Sequence, residues 1–125
     1  VIIEMLKAKI HRATVTEADL NYIGSLTLDE DLMNIAGLIE FEKVHVLDIT
    51  NGSRIETYII RGERGSGQVC INGAAAHLIH KGNLVIIASY CHLNDAEIQN
   101  HSPRIIKVDG ENKIIHRSTQ TPILA

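Results

Sequence analysis

An internal echo constrains the fold of this chain more than any other feature. "AGLIEFEKVHVL" (36–47) and "AHLIHKGNLVII" (76–87) align without gaps at an offset of 40 residues. Ala36 meets Ala76, Leu38 meets Leu78, Ile39 meets Ile79, Val44 meets Leu84 and Val46 meets Ile86. Each copy reads as a short helix, a small connector and a buried strand. Two copies are too few for a propeller or a solenoid, which bury their faces only by stacking several units. Two units packed about a pseudo-twofold axis predict instead a small closed β-barrel with two short helices. At 125 residues the chain fits one domain, 1–125, able to bury a core without disulfides or metal. Aromatic residues are 3% of the chain, so Ile, Leu, Val and Ala must fill that core.

The remaining elements follow from periodicity and turn chemistry. "MLKAKIHRATVTEADL" sets Leu6, Ala8 and Ile10 against Lys7, Lys9 and His11, the alternation of a half-buried strand. "LDEDLMNIAGL" predicts a helix capped by Asp29 and ended by Gly37, with Leu32, Ile35 and Ala36 buried. "KVHVLDIT" and "IETYIIRG" read as strands joined by the turn "NGSR", where Asn-Gly accepts positive φ. "SGQVCI" is a further strand, and "NGAAAHLIHKG" predicts a second helix with Asn72 as cap and Gly82 near its end. "NLVIIASYCHL" is the most hydrophobic strand. After Asn94 the signal weakens, although "RIIKVDGENKIIHR" resembles a hairpin about Asp109–Gly110.

Several function classes are disfavoured. A net charge of −3 without a basic run lacks the electrostatic footprint of a nucleic-acid binder. The apolar run at the N-terminus is broken by Glu4 and Lys7, so no signal peptide is expected. No apolar stretch nears the roughly 20 residues of a membrane span. Two cysteines are too few for a disulfide framework, which predicts a reduced, cytoplasmic protein. His77 and His80 share a face of the expected second helix but lack a third ligand at recognisable spacing, so no metal is expected. "RGERGSGQ" has the glycines of a phosphate cradle without the P-loop lysine. Cys70, in an apolar strand, reads as a structural thiol.

Other residues admit two readings. The small residues of "NGAAAH" let a carboxylate approach backbone N–H groups, or simply allow tight packing. On "SRIETYII", Arg54, Glu56 and Tyr58 share one face and Thr57 the other. Arg54 has the fork that pairs with a carboxylate and Tyr58 a transferable proton, although each is equally an ordinary strand residue. Ser25 has no G-x-S-x-G elbow around it. Residue by residue, the reading stops at a compact β domain with an anion-friendly pocket.

Taken together, "MLKAKIHRATVTEADLNYIGS", "TNGSRIETYIIRGERGS", "INGAAAH" and "GNLVIIASY" resemble the pyruvoyl-dependent aspartate 1-decarboxylase family. The resemblance runs in register from about Met5 to Tyr90 and is weaker from Cys91 onward. It implies a double-psi β-barrel, a homotetramer with sites between subunits, and conversion of L-aspartate to β-alanine and CO₂ for pantothenate and coenzyme A biosynthesis. It also implies self-cleavage between Gly24 and Ser25, giving a short chain 1–24 and a chain 25–125 that begins with a pyruvoyl group. The hydroxyl of Ser25 would attack the Gly24 carbonyl, and elimination and hydrolysis would follow, with Thr57 bonding the Gly24 carbonyl oxygen. Gly24, lacking a side chain, would permit the close approach this needs. The mature keto group would hold the amine of aspartate as a Schiff base and accept electrons as CO₂ leaves. Arg54 would pair with a substrate carboxylate, Tyr58 would return a proton to Cα, and Thr57 with the backbone of Gly73, Ala74 and Ala75 would hold substrate. Lys9 and His11 would line the same site. A maturation factor is a possible partner. Two other readings remain: a non-catalytic double-psi binding module, and a decarboxylase of another acidic amino acid such as glutamate.

Overall fold

The computed structural model describes residues 1–22 and 24–118. Its strands are β1 (Ile3–Thr14), β2 (Glu17–Asp19), β3 (Ser25–Asp29), β4 (Lys43–Asp48), β5 (Arg54–Gly62), β6 (Val69–Asn72), β7 (Leu84–Leu93), β8 (Arg104–Val108) and β9 (Ile114–Ser118). Helix α1 (Glu30–Ala36) follows β3, a 3₁₀ turn (Gly73–His77) follows β6, and the single-turn helix α2 (Asp95–Ile98) follows β7. The fold is mainly β with short helices, as the sequence predicts.

All nine strands form one sheet in the order β2-β6-β3-β5-β4-β7-β1-β8-β9. The chain closes this order on itself. β2 continues directly from β1, and the link between them is tied to β6: Thr16 N donates to Val69 O at 2.9 Å. Parallel neighbours β2–β6, β3–β5 and β1–β8 are mixed with antiparallel ones. An up-and-down meander cannot produce that mixture, whereas the crossed connections of a double-psi barrel require it. Leu26, Leu28, Val44, Val46, Ile59, Ile71, Val85 and Ile87 are buried in the interior, an aliphatic core without aromatic anchors.

The duplicated unit is present with a corrected register. β4 and β7 pair antiparallel with Val46 opposite Ile87 and Asp48 opposite Val85. A twofold axis through the Val46–Ile87 pair would exchange those two residues and match Val44 with Val85 and Asp48 with Ser89, all six buried. In the strands the correspondence is thus one residue longer than the gap-free alignment. Burial shows the same slip in the connectors: Leu38 is 4% exposed and corresponds to Ile79 at 0%, while Ile39 and Leu78 face outward.

Helix α1 forms as expected. The Asp29 carboxylate accepts from Asp31 N at 2.8 Å, Glu30 and Asp31 place negative charge at the positive end of the helix dipole, and Gly37 ends it at φ 71°. Its buried face is Leu32, Met33 and Ala36, with Ile35 only partly covered against the core. The expected second α-helix is absent: only the 3₁₀ turn Gly73–His77 forms. Gly73 has φ 72°, outside helical space, and the few residues left before Gly82 (φ 88°) cannot repay helix nucleation. Asn72 makes no side-chain cap there. Helix α2, in the stretch where the sequence signal fades, rests on a capping box: Asn94 and Glu97 exchange backbone-to-side-chain bonds of 2.9 Å. The "NGSR" turn closes the β4–β5 hairpin, with Gly52 at φ 80° and the Asp48 carboxylate accepting from Thr50 N and Asn51 N. The hairpin about Asp109–Gly110 also forms, as β8 and β9.

Candidate active site

Sheet register assembles the surroundings of Gly24–Ser25. β3 lies between β5 and β6. On the β6 side Ser25 stands opposite Asn72. On the β5 side the parallel register begins at Leu26 opposite Ile59, immediately after Gly24–Ser25 on one chain segment and Thr57–Tyr58 on the other. Asn72–Gly73 thus flanks the dipeptide on one side, and Thr57–Tyr58 leads into the strand paired on the other.

Gly73 makes the closest approach. A Cβ built on it would lie 2.6 Å from Gly24 Cα and 2.8 Å from Gly24 N, so only a glycine lets the two backbones meet. Gly24 itself is less crowded, since its Cβ would meet only Asn72 O at 3.9 Å. The need for a missing side chain therefore falls on Gly73 more than on Gly24, where the sequence reading had put it. Ala74 and Ala75 follow in the 3₁₀ turn, Ala74 exposed and Ala75 packed against the core.

Ser25 is 2% exposed, and its Oγ accepts from Asn72 Nδ2 at 3.1 Å. The same nitrogen donates to Thr27 Oγ1 at 2.9 Å, and Asn72 Oδ1 accepts from Cys70 Sγ at 3.1 Å. Burial, then the carboxylates of Glu17 and Asp19, pushes the Cys70 thiol up from its ordinary value, so it stays protonated. Asn72, Thr27 and Cys70 line a cleft of about 280 Å³ that also takes in Tyr22 and Arg61. Sequence reading gave Asn72 a capping role and no role to Thr27. The signal was there: Ser25 and Thr27 are i, i+2 on one strand, as are Cys70 and Asn72, so each pair shares a face.

The expected charged residues are dispersed. Tyr58 stacks its ring against Phe41, 6.4 Å between centroids. Arg54 lies four residues earlier on β5, roughly 13 Å along the strand, and is exposed. Lys9 and His11 sit on β1, whose sheet neighbours are β7 and β8. His11 is 6% exposed, and neither ring nitrogen has a hydrogen-bond partner among the described residues. Burial, then the cations Lys9, Arg12 and Lys107, hold its pKa below 6.5. Arg61, the cation of the cleft, is paired with Glu30 at 3.1 Å.

Two other sequence features take bland roles. The glycine-rich loop at 62–67 cradles an anion that is already built in: Asp29 accepts from Gly65 N at 3.0 Å and from Gly67 N at 2.8 Å. The two glycine N–H groups are thus already taken by a carboxylate of the chain itself. His80 Nε2 lies 3.1 Å from His77 O, and both rings are exposed. Among the described residues no group of three or more His, Cys, Asp or Glu is placed to hold a metal, and no helix is long and apolar enough to cross a membrane.

A model of the family described as aspartate decarboxylase matches residues 1–115, beyond the Tyr90 at which the sequence resemblance weakens. The chain is 60% identical over 116 residues to the aspartate 1-decarboxylase of Caldicellulosiruptor bescii, covering 93% of this chain and 91% of that protein. It is 62% identical to that of Corynebacterium efficiens, covering 89% and 82%, and 59% identical to that of Neisseria meningitidis, covering 88% and 87%. Among solved structures, the computationally designed msDPBB_sym2 protein aligns with TM-score 0.42 and 18% identity, over 70% of this chain and 96% of that one.

Proposed function

The chain belongs to the aspartate decarboxylase family, and from that premise we propose that it cuts itself between Gly24 and Ser25 and then converts L-aspartate to β-alanine and CO₂. The β-alanine would supply pantothenate synthesis. The observation that supports the reading is the buried Ser25 Oγ held by Asn72 at 3.1 Å, with Gly73 pressed against Gly24. A serine in a catalytic triad would need a base in reach. A serine consumed by its own backbone needs a fixed hydroxyl, and the hydrogen bond from Asn72 supports that role.

In the self-processing step Oγ bonds to the Gly24 carbonyl carbon and the peptide nitrogen leaves it, converting amide to ester. Elimination then releases the Gly24 carboxylate and leaves an unsaturated residue 25, whose hydrolysis yields a pyruvoyl group and ammonia. Thr57, as the family resemblance implies, is the donor expected to stabilise the oxyanion formed there. The residues fit this group: the hydroxyl is buried and oriented, and the 280 Å³ cleft adjoins it. The pyruvoyl carbonyl supplies an electron sink for loss of CO₂. Tyr58 would return a proton to Cα, and the backbone of Gly73, Ala74 and Ala75 would hold substrate, as the family resemblance implies.

The substrate's two carboxylates also need cations, and within one chain the cleft's own arginine is committed to Glu30. This supports sites shared between subunits of a homotetramer, with Arg54, Lys9 and His11 completing a site that includes another copy's residues. Two free cysteines, one of them buried, fit a reducing cytoplasm.

Intact-mass analysis of the purified chain, incubated alone, tests the reading. Two fragments are expected, the longer one lighter by one NH₃ than a chain with a free N-terminal serine. Cleavage only after addition of cell extract would assign the step to a maturation factor. Ser25→Ala should fold, stay whole and be inactive. Tyr58→Phe should still cleave yet lose about 10²-fold or more of aspartate turnover. An intact parent chain that releases no CO₂ from aspartate overturns the proposal, and preferential release from glutamate reassigns the substrate.

A further inference from the structure

The four side chains beside the cleavage point carry a further inference, which rests on the self-processing reading. Ser25 stands opposite Asn72 and Thr27 opposite Cys70, so four polar groups form a square on one face of β3 and β6. The Asn72 carboxamide sits at its centre, 2% exposed. Its Nδ2 uses both hydrogens, on Ser25 Oγ and Thr27 Oγ1, and its Oδ1 accepts from Cys70 Sγ.

A carboxamide turned by half a revolution exchanges its donor and acceptor ends. The turned amide would accept from Ser25 and reverse the hydrogen bond on the nucleophile. A hydroxyl can donate or accept, so a hydroxyl as such can meet either state, whereas the Cys70 thiol favours one. Its S–H donates to Oδ1, whereas its sulfur is a poor acceptor for a turned NH₂. Seclusion of the thiol beside Glu17 and Asp19 keeps that proton in place.

We propose that Cys70 and Thr27 are positioning residues for chain cleavage: the Cys70 thiol sets the orientation of the Asn72 amide, Thr27 tethers its nitrogen, and the amide then fixes the direction of Ser25 Oγ. Accepting from Nδ2, Ser25 Oγ turns its own O–H away from Asn72. Nothing in this role requires Cys70 to react.

The test is the half-time of cleavage, followed by intact mass, in paired variants that differ by one hydrogen-bonding group. Cys70→Ser keeps a donor at nearly the same size and should cleave within twofold of the parent. Cys70→Ala should be about fivefold to tenfold slower, the scale of one hydrogen bond lost from the reacting arrangement. Thr27→Ser and Thr27→Val should divide the same way, which guards against a folding defect in Cys70→Ala. A packing role would instead slow both members of a pair alike. Parental cleavage in both Cys70→Ala and Thr27→Val overturns the inference, as does Cys70→Ser as slow as Cys70→Ala. A parent chain that never cleaves removes the self-processing reading itself. The orientation is still judged separately in that case: side-chain NH₂ protons of Asn72 should exchange with solvent more slowly in the parent than in Cys70→Ala, and equal exchange refutes it.

Discussion

Gly73→Ala, made in the uncut Ser25→Ala background, separates two costs that glycine conceals. The first is conformational. Gly73 has φ 72°, and an L-residue held there costs about 1–2 kcal/mol. The second is steric: the new Cβ would stand 2.6 Å from Gly24 Cα and 2.8 Å from Gly24 N, and backbone cannot swing aside as a side-chain tip can. Forcing a methyl into a closed contact costs about 1–3 kcal/mol. The sum is ~2–5 kcal/mol. For 125 residues the unfolding entropy makes each kcal/mol worth about 4 °C in Tm, so a drop of roughly 8–20 °C is expected. Gly52→Ala is the internal control, because Gly52 has φ 80° and nothing within 4 Å of its would-be Cβ. It carries the conformational cost alone, about 4–8 °C. Thermal melts by circular dichroism, at matched protein concentration so that assembly does not shift the comparison, give both numbers. If Gly73→Ala melts within about 2 °C of Gly52→Ala, the Gly24–Gly73 contact is not tight and the steric argument is refuted.

Two further perturbations probe the frame around the site. Asp29→Asn exchanges one acceptor oxygen for a donor, leaving either Gly67 N or the N–H pair of Asp31 and Gly65 facing an NH₂. It should cost about 1–3 kcal/mol and speed hydrogen exchange at those amides. Unchanged protection at all three would remove the anchoring role of Asp29. His11 is held below its ordinary 6.5 by burial and by Lys9 and Arg12 on β1 and Lys107 on β8, so it is neutral in the fold. Between the lowered folded value and 6.5 the unfolded chain binds more protons. Its contribution is therefore complete above pH 6.5 and is lost as pH falls through the folded value. Urea unfolding at about pH 7.5 and about pH 5 should show a smaller loss in His11→Gln than in the parent. Equal losses would show that His11 does not carry this pH dependence.

What the sequence conveyed and what it withheld divide along a physical line. Signals that act within a few residues were legible: the Asp29 cap, the Gly37 stop, the Asn-Gly turn and the alternation of β1 all depend on local backbone chemistry. The second helix failed on a local rule that glycine obscures, since only the fold reveals that Gly73 sits at positive φ. The echo between 36–47 and 76–87 picked out two strands that pair, β4 and β7, but its register lay beyond reach, because Leu38 and Ile79 are both buried after a one-residue slip that similarity of apolar residues cannot detect. The site was harder still. Ser25 and Asn72 are 47 residues apart, and nothing in either neighbourhood says they touch. Resemblance supplied Ser25, Thr57, Tyr58 and Gly73 as a set, and the sheet order explains why they are one: β3 is the strand that β5 and β6 share. Thr27 and Cys70 lie on the same two strands, two residues further along, which is why a set drawn from resemblance can omit them while the geometry does not. Their place opposite one another makes the orientation of Asn72 a property of the whole square, so a single polar-to-apolar change at either corner should reach the scissile bond without touching it.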